Sequence, residues 1–211
     1  MQRNKFTMKK CKRTDNPFDM VRNAFPIYIS MDSYSIVIKD VTVEELEELR
    51  ETGEFDRELM TCRPIMNRDK EGFIKLFTEL ISNSNNLLCG LFYEDKYGTH
   101  IIGRVSFYDY NPRNMSVEMG YILHDEWRGK GIMRKCMLQI IKMMFTNSGI
   151  NKIYAQTCEI NTNSRKLLEY CCFSVDAKLR EHHEYRGIFY DDYIYSFLKS
   201  DINKLKEINY V

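Results

Sequence analysis

The chain has 211 residues, 44% of them hydrophobic and 29% charged, which is enough apolar material for one self-sufficient core and too much for a chain disordered throughout. Its 31 basic and 30 acidic residues leave a formal net charge of +1, which argues against a global attraction to nucleic acid or an anionic membrane. No apolar run nears the roughly 20 residues of a membrane-spanning helix and no secretory leader is legible. The seven cysteines form no CxxC pair, so a cytoplasmic protein with reduced thiols and no membrane partner is expected.

Residues 1–13 hold six Lys/Arg and no acid, and the first sustained strand pattern comes near Ser33, so 1–32 reads as a basic N-terminal extension. Ser35 to Lys39 alternates as a strand. Thr42 with Glu45 three residues on forms a capping box, predicting a helix from Val43 to Glu51 that Gly53 ends. Phe73, Ile74, Phe77, Leu80 and Ile81 recur at helical spacing, predicting an amphipathic helix over 68–81. Two β-rich runs, 87–93 and 100–108, are joined by a charged turn ending in Gly98, and 116–123 adds a third strand, together an antiparallel meander. Next come a glycine loop and a helix marked by Ile132, Cys136, Ile140 and Met144. A strand over 152–157, a helix over 163–170 and a hairpin over 173–180 and 190–198 complete an alternating α/β pattern. Residues 200–211 read as a C-terminal tail.

In Arg128-Gly129-Lys130-Gly131-Ile132-Met133, two glycines sit where a strand gives way to a helix, permitting a tight turn and leaving the first helical amides free. Such amides, reinforced by the helix dipole, bind anions, and a diphosphate flanked by Arg128 and Lys130 is the natural guest. There is no GxxxxGK[ST], and Arg134 stands where a GxGxxG loop needs its third glycine, so two familiar phosphate loops are excluded. On local grounds a plain connecting turn with a solvated basic pair remains the alternative.

These residues resemble the pyrophosphate-binding signature of the GNAT N-acetyltransferase superfamily, in the form found in its RimJ/RimL-like ribosomal-protein alanine N-acetyltransferase branch. Three further stretches are similar to that branch in the same order. Val117-Glu118-Met119-Gly120-Tyr121-Ile122-Leu123 is similar to its fourth-strand pattern. The run from Asn161 through Ser164 and Leu167-Leu168-Glu169 to Phe173 resembles its "N-x-x-S" helix and "GF" turn, and Gly187 to Ser196 its closing strand. The resemblance spans 33–199, read as one acetyltransferase domain. It implies an α/β (α+β) fold with a mixed, largely antiparallel sheet, splayed fourth and fifth strands and helices on both faces. Two departures stand out: Cys172 replaces the glycine of the "GF" turn, and Leu168 stands where many relatives carry a tyrosine general acid.

The resemblance implies acetyl-CoA as cosubstrate, held by Arg128 to Met133, by backbone groups of Ile122 and Leu123 in the splay, and by Asn161, which also suits a helix cap. Glu118 is the candidate base, with a surface-facing strand carboxylate as the alternative role and Glu159 as second choice. Ser164 is the candidate donor to the coenzyme A sulfur, or an ordinary helix-start hydroxyl. No metal is expected, since Cys171, Cys172, His182 and His183 lack zinc-ligand spacing. The acceptor amine is a protein N-terminus or a small molecule, and the pocket residues implied (Glu44, Glu45, Glu48, Asp56, Arg63, Arg68, His182, His183, Glu184, Arg186) carry mixed charge. A coenzyme A-binding module without turnover and a ribosome- or RNA-associated protein tethered by its basic arm remain alternative readings. Many relatives pair, so a homodimer is compatible with the resemblance, although no residue marks an interface.

Overall fold

The computed structural model describes residues 16–56, 58–60 and 68–205. In chain order the elements are α1 (Asp19–Arg22), β1 (Ile27–Ser30), β2 (Ser35–Asp40), α2 (Val43–Thr52), α3 (Lys70–Ser82), β3 (Leu87–Asp95), β4 (Gly98–Asn111) and β5 (Ser116–Leu123). After a 3-10 turn at Asp125–Trp127 follow α4 (Ile132–Asn147), β6 (Lys152–Cys158), α5 (Thr162–Tyr170), β7 (Ser174–Tyr185) and β8 (Ile188–Leu198).

The helices begin where side chains satisfy their free amides. Thr42 accepts the Glu45 N–H at 3.2 Å while its own N–H donates to Glu45 Oε2 at 2.8 Å, so the capping box forms as expected. Asp69 caps α3 by accepting the Gly72 N–H at 2.8 Å. Strand alternation divides the apolar residues between two faces. Ile36, Ile38, Leu87 and Cys89 join the core beneath α1, α4 and α5, whereas Val37, Leu88 and Phe92 join a second core beneath α2 and α3. Helices therefore cover both faces.

The eight strands run in the order β1-β2-β3-β4-β5-β6-β8-β7, and every neighbouring pair is antiparallel except β5 with β6. That parallel pair is short. It joins Ser116–Glu118 to Lys152–Tyr154, after which β5 continues against β4 as far as Leu123 and β6 against β8 as far as Cys158. The two strands thus diverge in mid-sheet, as the resemblance implied, and the opening between them holds the site described below.

One boundary needs correction. Residues 16–32 are part of the fold: Phe18 and Val21 are buried in the core at 0% and 1% exposure, and β1 extends the sheet against β2. Both elements are four residues long, too short to show a hydrophobic period, and the basic run upstream draws the boundary too far into the chain. At the other end Leu205 is buried in the same core, so the expected tail also begins later than position 200. The remainder of both expected segments lies outside the described residues.

Candidate active site

A cleft of about 580 Å³ passes through the divergence of β5 and β6. Its floor is Glu118–Leu123 on one side and Ala155, Gln156 and Thr157 on the other, and it reaches the start of α4 and the first turn of α5.

Gly129 and Gly131 have φ of +75° and +74°, the left-handed region that residues with a Cβ enter only with strain. Nothing lies within 4 Å of where a Cβ would stand on either, so the constraint is the backbone and the neighbouring space is open. Gly131 occupies the N-cap position of α4 and has no side chain to cap it. The first amides of a 16-residue helix therefore face the cleft with the positive end of the helix dipole behind them. Ile132 and Met133 send their side chains into the core, so their backbone is what they offer. Trp127 fixes the turn to the sheet, its ring 4.8 Å from Tyr93 and 5.7 Å from Tyr34.

The basic flank is arranged differently from expectation. Arg128 donates from Nε to the Leu123 carbonyl at 3.1 Å and from Nη2 to the Glu54 carbonyl at 3.2 Å, tying the end of β5 to the segment after α2. It is a clamp, and the Leu123 carbonyl is already engaged by it. Lys130 places Nζ 4.8 Å from the Trp127 ring. Arg134 also lines the cleft beside the helix start, stacked 4.3 Å from the Tyr170 ring, and nothing in its local spacing selects it.

On the α5 side, Asn161 Oδ1 accepts the Ser164 N–H at 3.1 Å, so the capping role is realised and Ser164 sits in the first turn. Ser164 Oγ lies 2.8 Å from the phenol oxygen of Tyr121, a β5 residue on the opposite wall. Burial pushes the Tyr121 phenol well above the usual tyrosine range, only partly offset by the Ser164 hydrogen bond, so it stays protonated. Leu168 is 0% exposed in the core, and the side chain that lines the cleft there is Leu167. A tyrosine hydroxyl is nevertheless present, delivered from β5.

Glu118 lines the cleft at the last rung before β5 and β6 part, paired in register with Tyr108 and Tyr154. Among the described residues its carboxylate has no hydrogen bond or ion pair within 4.0 Å. Glu159 is otherwise employed: its Oε1 accepts the Asp191 N–H at 3.0 Å. On the same face of the sheet, four residues along β4 from the Glu118 rung, the cleft meets Arg104, 6% exposed, which donates from Nη1 to Ser106 Oγ at 2.9 Å and to the Tyr108 hydroxyl. Arg104 falls inside a strand read only as β-rich, so its direction was not legible.

The tip of β7 is bound to the segment after α2: Tyr185 donates to Asp56 Oδ2 at 2.8 Å, and Arg186 lies 4.0 Å from Asp56 and 3.8 Å from Glu58. Of the acceptor-pocket residues implied by the resemblance, Asp56 lines the cleft, Glu45 is spent on the cap of α2, and Arg63 lies outside the described residues. The grouping weighed as a metal site from sequence differs from the one the fold makes. Among the described residues, buried Cys158, His183 and Asp192, from three adjacent strands, bring their donor atoms within 4.8 Å of one another. Asp192 Oδ2 accepts from Gln156 Nε2 at 2.6 Å, and His183 Nε2 donates to the Glu58 carbonyl at 2.7 Å.

Residues 36–174 match a family described as the acetyltransferase (GNAT) domain. An uncharacterized N-acetyltransferase, p20 of Bacillus licheniformis, is 32% identical over 101 residues, and this alignment spans 48% of the chain but 57% of that relative's length. Among solved structures, a ribosomal L7/L12 alpha-N-protein acetyltransferase, RimL, in complex with coenzyme A superposes with a TM-score of 0.69 at 16% identity, covering 82% of this chain and 98% of that one. A chimera of the spermidine N-acetyltransferase SpeG from Vibrio cholerae gives a TM-score of 0.69 at 21% identity, covering 80% and 98%. At these identities the two structures speak for the fold alone.

Proposed function

The chain belongs to the GNAT acetyltransferase domain family, and from that premise we propose that it moves the acetyl group of acetyl-CoA directly to a primary amine, on a protein N-terminus or a small molecule. One observation carries this reading: a single cleft joins an uncapped helix start, suited to a diphosphate, to an unpaired carboxylate at the point where two strands diverge. In this reading the amides of Gly129 to Met133 hold the diphosphate, with Arg134 as the nearby cation. The pantetheine arm lies between β5 and β6, where β5 beyond Glu118 stays laddered to β4 but has no ladder partner on its β6 side among the described residues.

The chemistry then falls to few groups. Glu118 takes a proton from the entering ammonium, directly or through water. The freed lone pair attacks the thioester carbonyl, and unpaired β5 amides stabilise the oxyanion that forms. As the carbon–sulfur bond breaks, Ser164 hydrogen-bonds to the departing sulfur with Tyr121 behind it, and the second proton of the attacking nitrogen passes to that sulfur, leaving a neutral amide and the coenzyme A thiol. A cytoplasmic location fits the free thiols of Cys89, Cys136, Cys158, Cys171 and Cys172, and among the described residues no helix is long and apolar enough to cross a membrane.

The test is mass spectrometry of a cell lysate incubated with the protein and isotopically labelled acetyl-CoA. Labelled N-acetyl products that depend on Glu118 are expected. Coenzyme A binding without any labelled product, across lysate and a broad amine panel, would make the protein a binding module instead.

A further inference from the structure

Among the described residues, Arg104 is a buried cation without a matching anion. Only 6% of it is exposed, and among the described residues no carboxylate lies within 4.0 Å of its guanidinium. Both hydrogen bonds it makes leave from Nη1 and end on neutral hydroxyls, those of Ser106 and Tyr108. Its Cζ lies 5.2 Å from the centre of the Phe77 ring, which supports one face of the group without neutralising it. Three of the five N–H donors, those on Nε and Nη2, have no protein partner among the described residues, yet neither nitrogen is a sealed-off orphan. Arg104 lines the cleft and also a cavity of about 10 Å³ among Leu46, Phe73 and Phe77, and of these two only the cleft has room for a ligand.

The register fixes what else stands there. Arg104, Ser106 and Tyr108 share one face of β4, and Tyr108 pairs directly with Glu118 on β5. By bonding the Tyr108 hydroxyl, the guanidinium leans along β4 toward the rung that carries Glu118. On this face of the sheet the cleft therefore holds the Glu118 carboxylate and the Arg104 guanidinium, not paired with each other, while the Asp56 carboxylate that also lines the cleft comes from the segment after α2 and accepts from Tyr185. A buried charge left uncompensated is costly, and a site keeps such an arrangement when a ligand completes it. A planar guanidinium with free donors on two nitrogens matches the two oxygens of a carboxylate.

We infer that Arg104 is an anion subsite in the acceptor half and that the acceptor is an amino-acid-like zwitterion, its ammonium toward Glu118 and its carboxylate on Arg104. The inference rests on the acetyl-transfer reading for the orientation of the amine, but the subsite itself is defined without turnover. It also argues against a polyamine, whose second ammonium would meet the guanidinium as a like charge.

The experiment uses the full chain saturated with coenzyme A. The twenty amino acids are titrated by calorimetry beside amines that lack only the carboxylate, such as phenethylamine for phenylalanine, and beside spermidine. The same panel is then run with acetyl-CoA, reading thiol release. At least one amino acid is expected to bind and react better than its decarboxylated partner by roughly 10- to 100-fold. Arg104→Gln should abolish that preference while leaving the decarboxylated amine and coenzyme A affinity unchanged. Arg104→Lys, which keeps the charge but not the fork, should restore only part of it, and unchanged coenzyme A binding shows that both variants are folded. A preference for the decarboxylated amine or spermidine, equal losses for both members of a pair, or no amino-acid binding would overturn the inference. Arg104-dependent binding without thiol release would support the subsite and sink the acetyl-transfer reading; turnover of amines indifferent to Arg104 would do the reverse.

Discussion

Tyr121 and Ser164, 43 residues apart in the chain, meet hydroxyl to hydroxyl at 2.8 Å across the cleft. Tyr121 comes from the part of β5 that has left β6, and Ser164 from the capped first turn of α5, so the contact exists because the strands diverge. With the phenol held protonated by burial, it can donate to Ser164 Oγ and leave the serine O–H for a ligand.

Ser164→Ala should therefore lower kcat by about 10- to 100-fold with little change in the KM for acetyl-CoA, as expected for a bond made mainly in the transition state. Tyr121→Phe removes the support and not the donor, and should cost about 10-fold or less. Steady-state kinetics at saturating amine checks both. A Tyr121→Phe defect larger than that of Ser164→Ala would reverse the assignment of roles.

Gly131→Ala tests the turn. Nothing crowds the added methyl, so the penalty is the left-handed backbone alone, about 1–2 kcal/mol. If the helix start relaxes to relieve it, the amides lose alignment and coenzyme A affinity should fall about 10-fold, measured by calorimetry. Unchanged affinity would mean that the turn does not hold the ligand.

Cys172 takes φ of +61°, the left-handed region that glycine enters without strain. Its N–H bonds the Glu169 carbonyl and the Phe173 N–H bonds the Leu168 carbonyl, each at 3.0 Å, closing α5 in a Schellman arrangement with a strained residue at the left-handed position. Cys172→Gly should relieve that strain. After the loss of unfolded-state restraint, a gain of about 0.5–1 kcal/mol in stability is expected from urea unfolding. Destabilisation would place the thiol in a packing role.

The carboxylate of Asp125 accepts the Glu54 N–H at 3.1 Å, and this bond above all holds it below the usual aspartate value of 3.8. Because the folded value is depressed, the stabilisation is present above 3.8 and is lost as pH falls through the lower folded value. The Asp125 carboxyl carbon and the Glu54 amide should titrate together by NMR with a midpoint under 3.8. A midpoint at or above the usual value would mean that the link between the segment after α2 and the glycine turn is not formed in solution.

Much of this architecture is legible in residue spacing, because the signals are local. The Thr42 and Glu45 cap, the apolar stripe of α3, the glycines before α4 and the Asn161 cap of α5 each lie within one turn of what they control. What spacing misses is set by distant partners. Arg128 beside two glycines reads as an anion ligand until the Glu54 carbonyl, 74 residues away, is seen to accept from it. Arg104 and Tyr121 sit in strands whose two faces become inside and outside only once β4, β5 and β6 are in register. α1 and β1 are too short to show a period, and their burial follows from neighbours supplied later in the chain. The Cys158, His183 and Asp192 grouping likewise exists only after three strands pair.

The most direct measurement follows the backbone amides of Gly129, Lys130, Gly131, Ile132 and Met133 by ¹⁵N NMR during titration with coenzyme A and, separately, with pantetheine, which lacks the diphosphate. Coenzyme A should shift these resonances markedly at one equivalent while pantetheine leaves them in place. No shift with coenzyme A, or the same shift with both ligands, would contradict the assignment of the helix start as the diphosphate site.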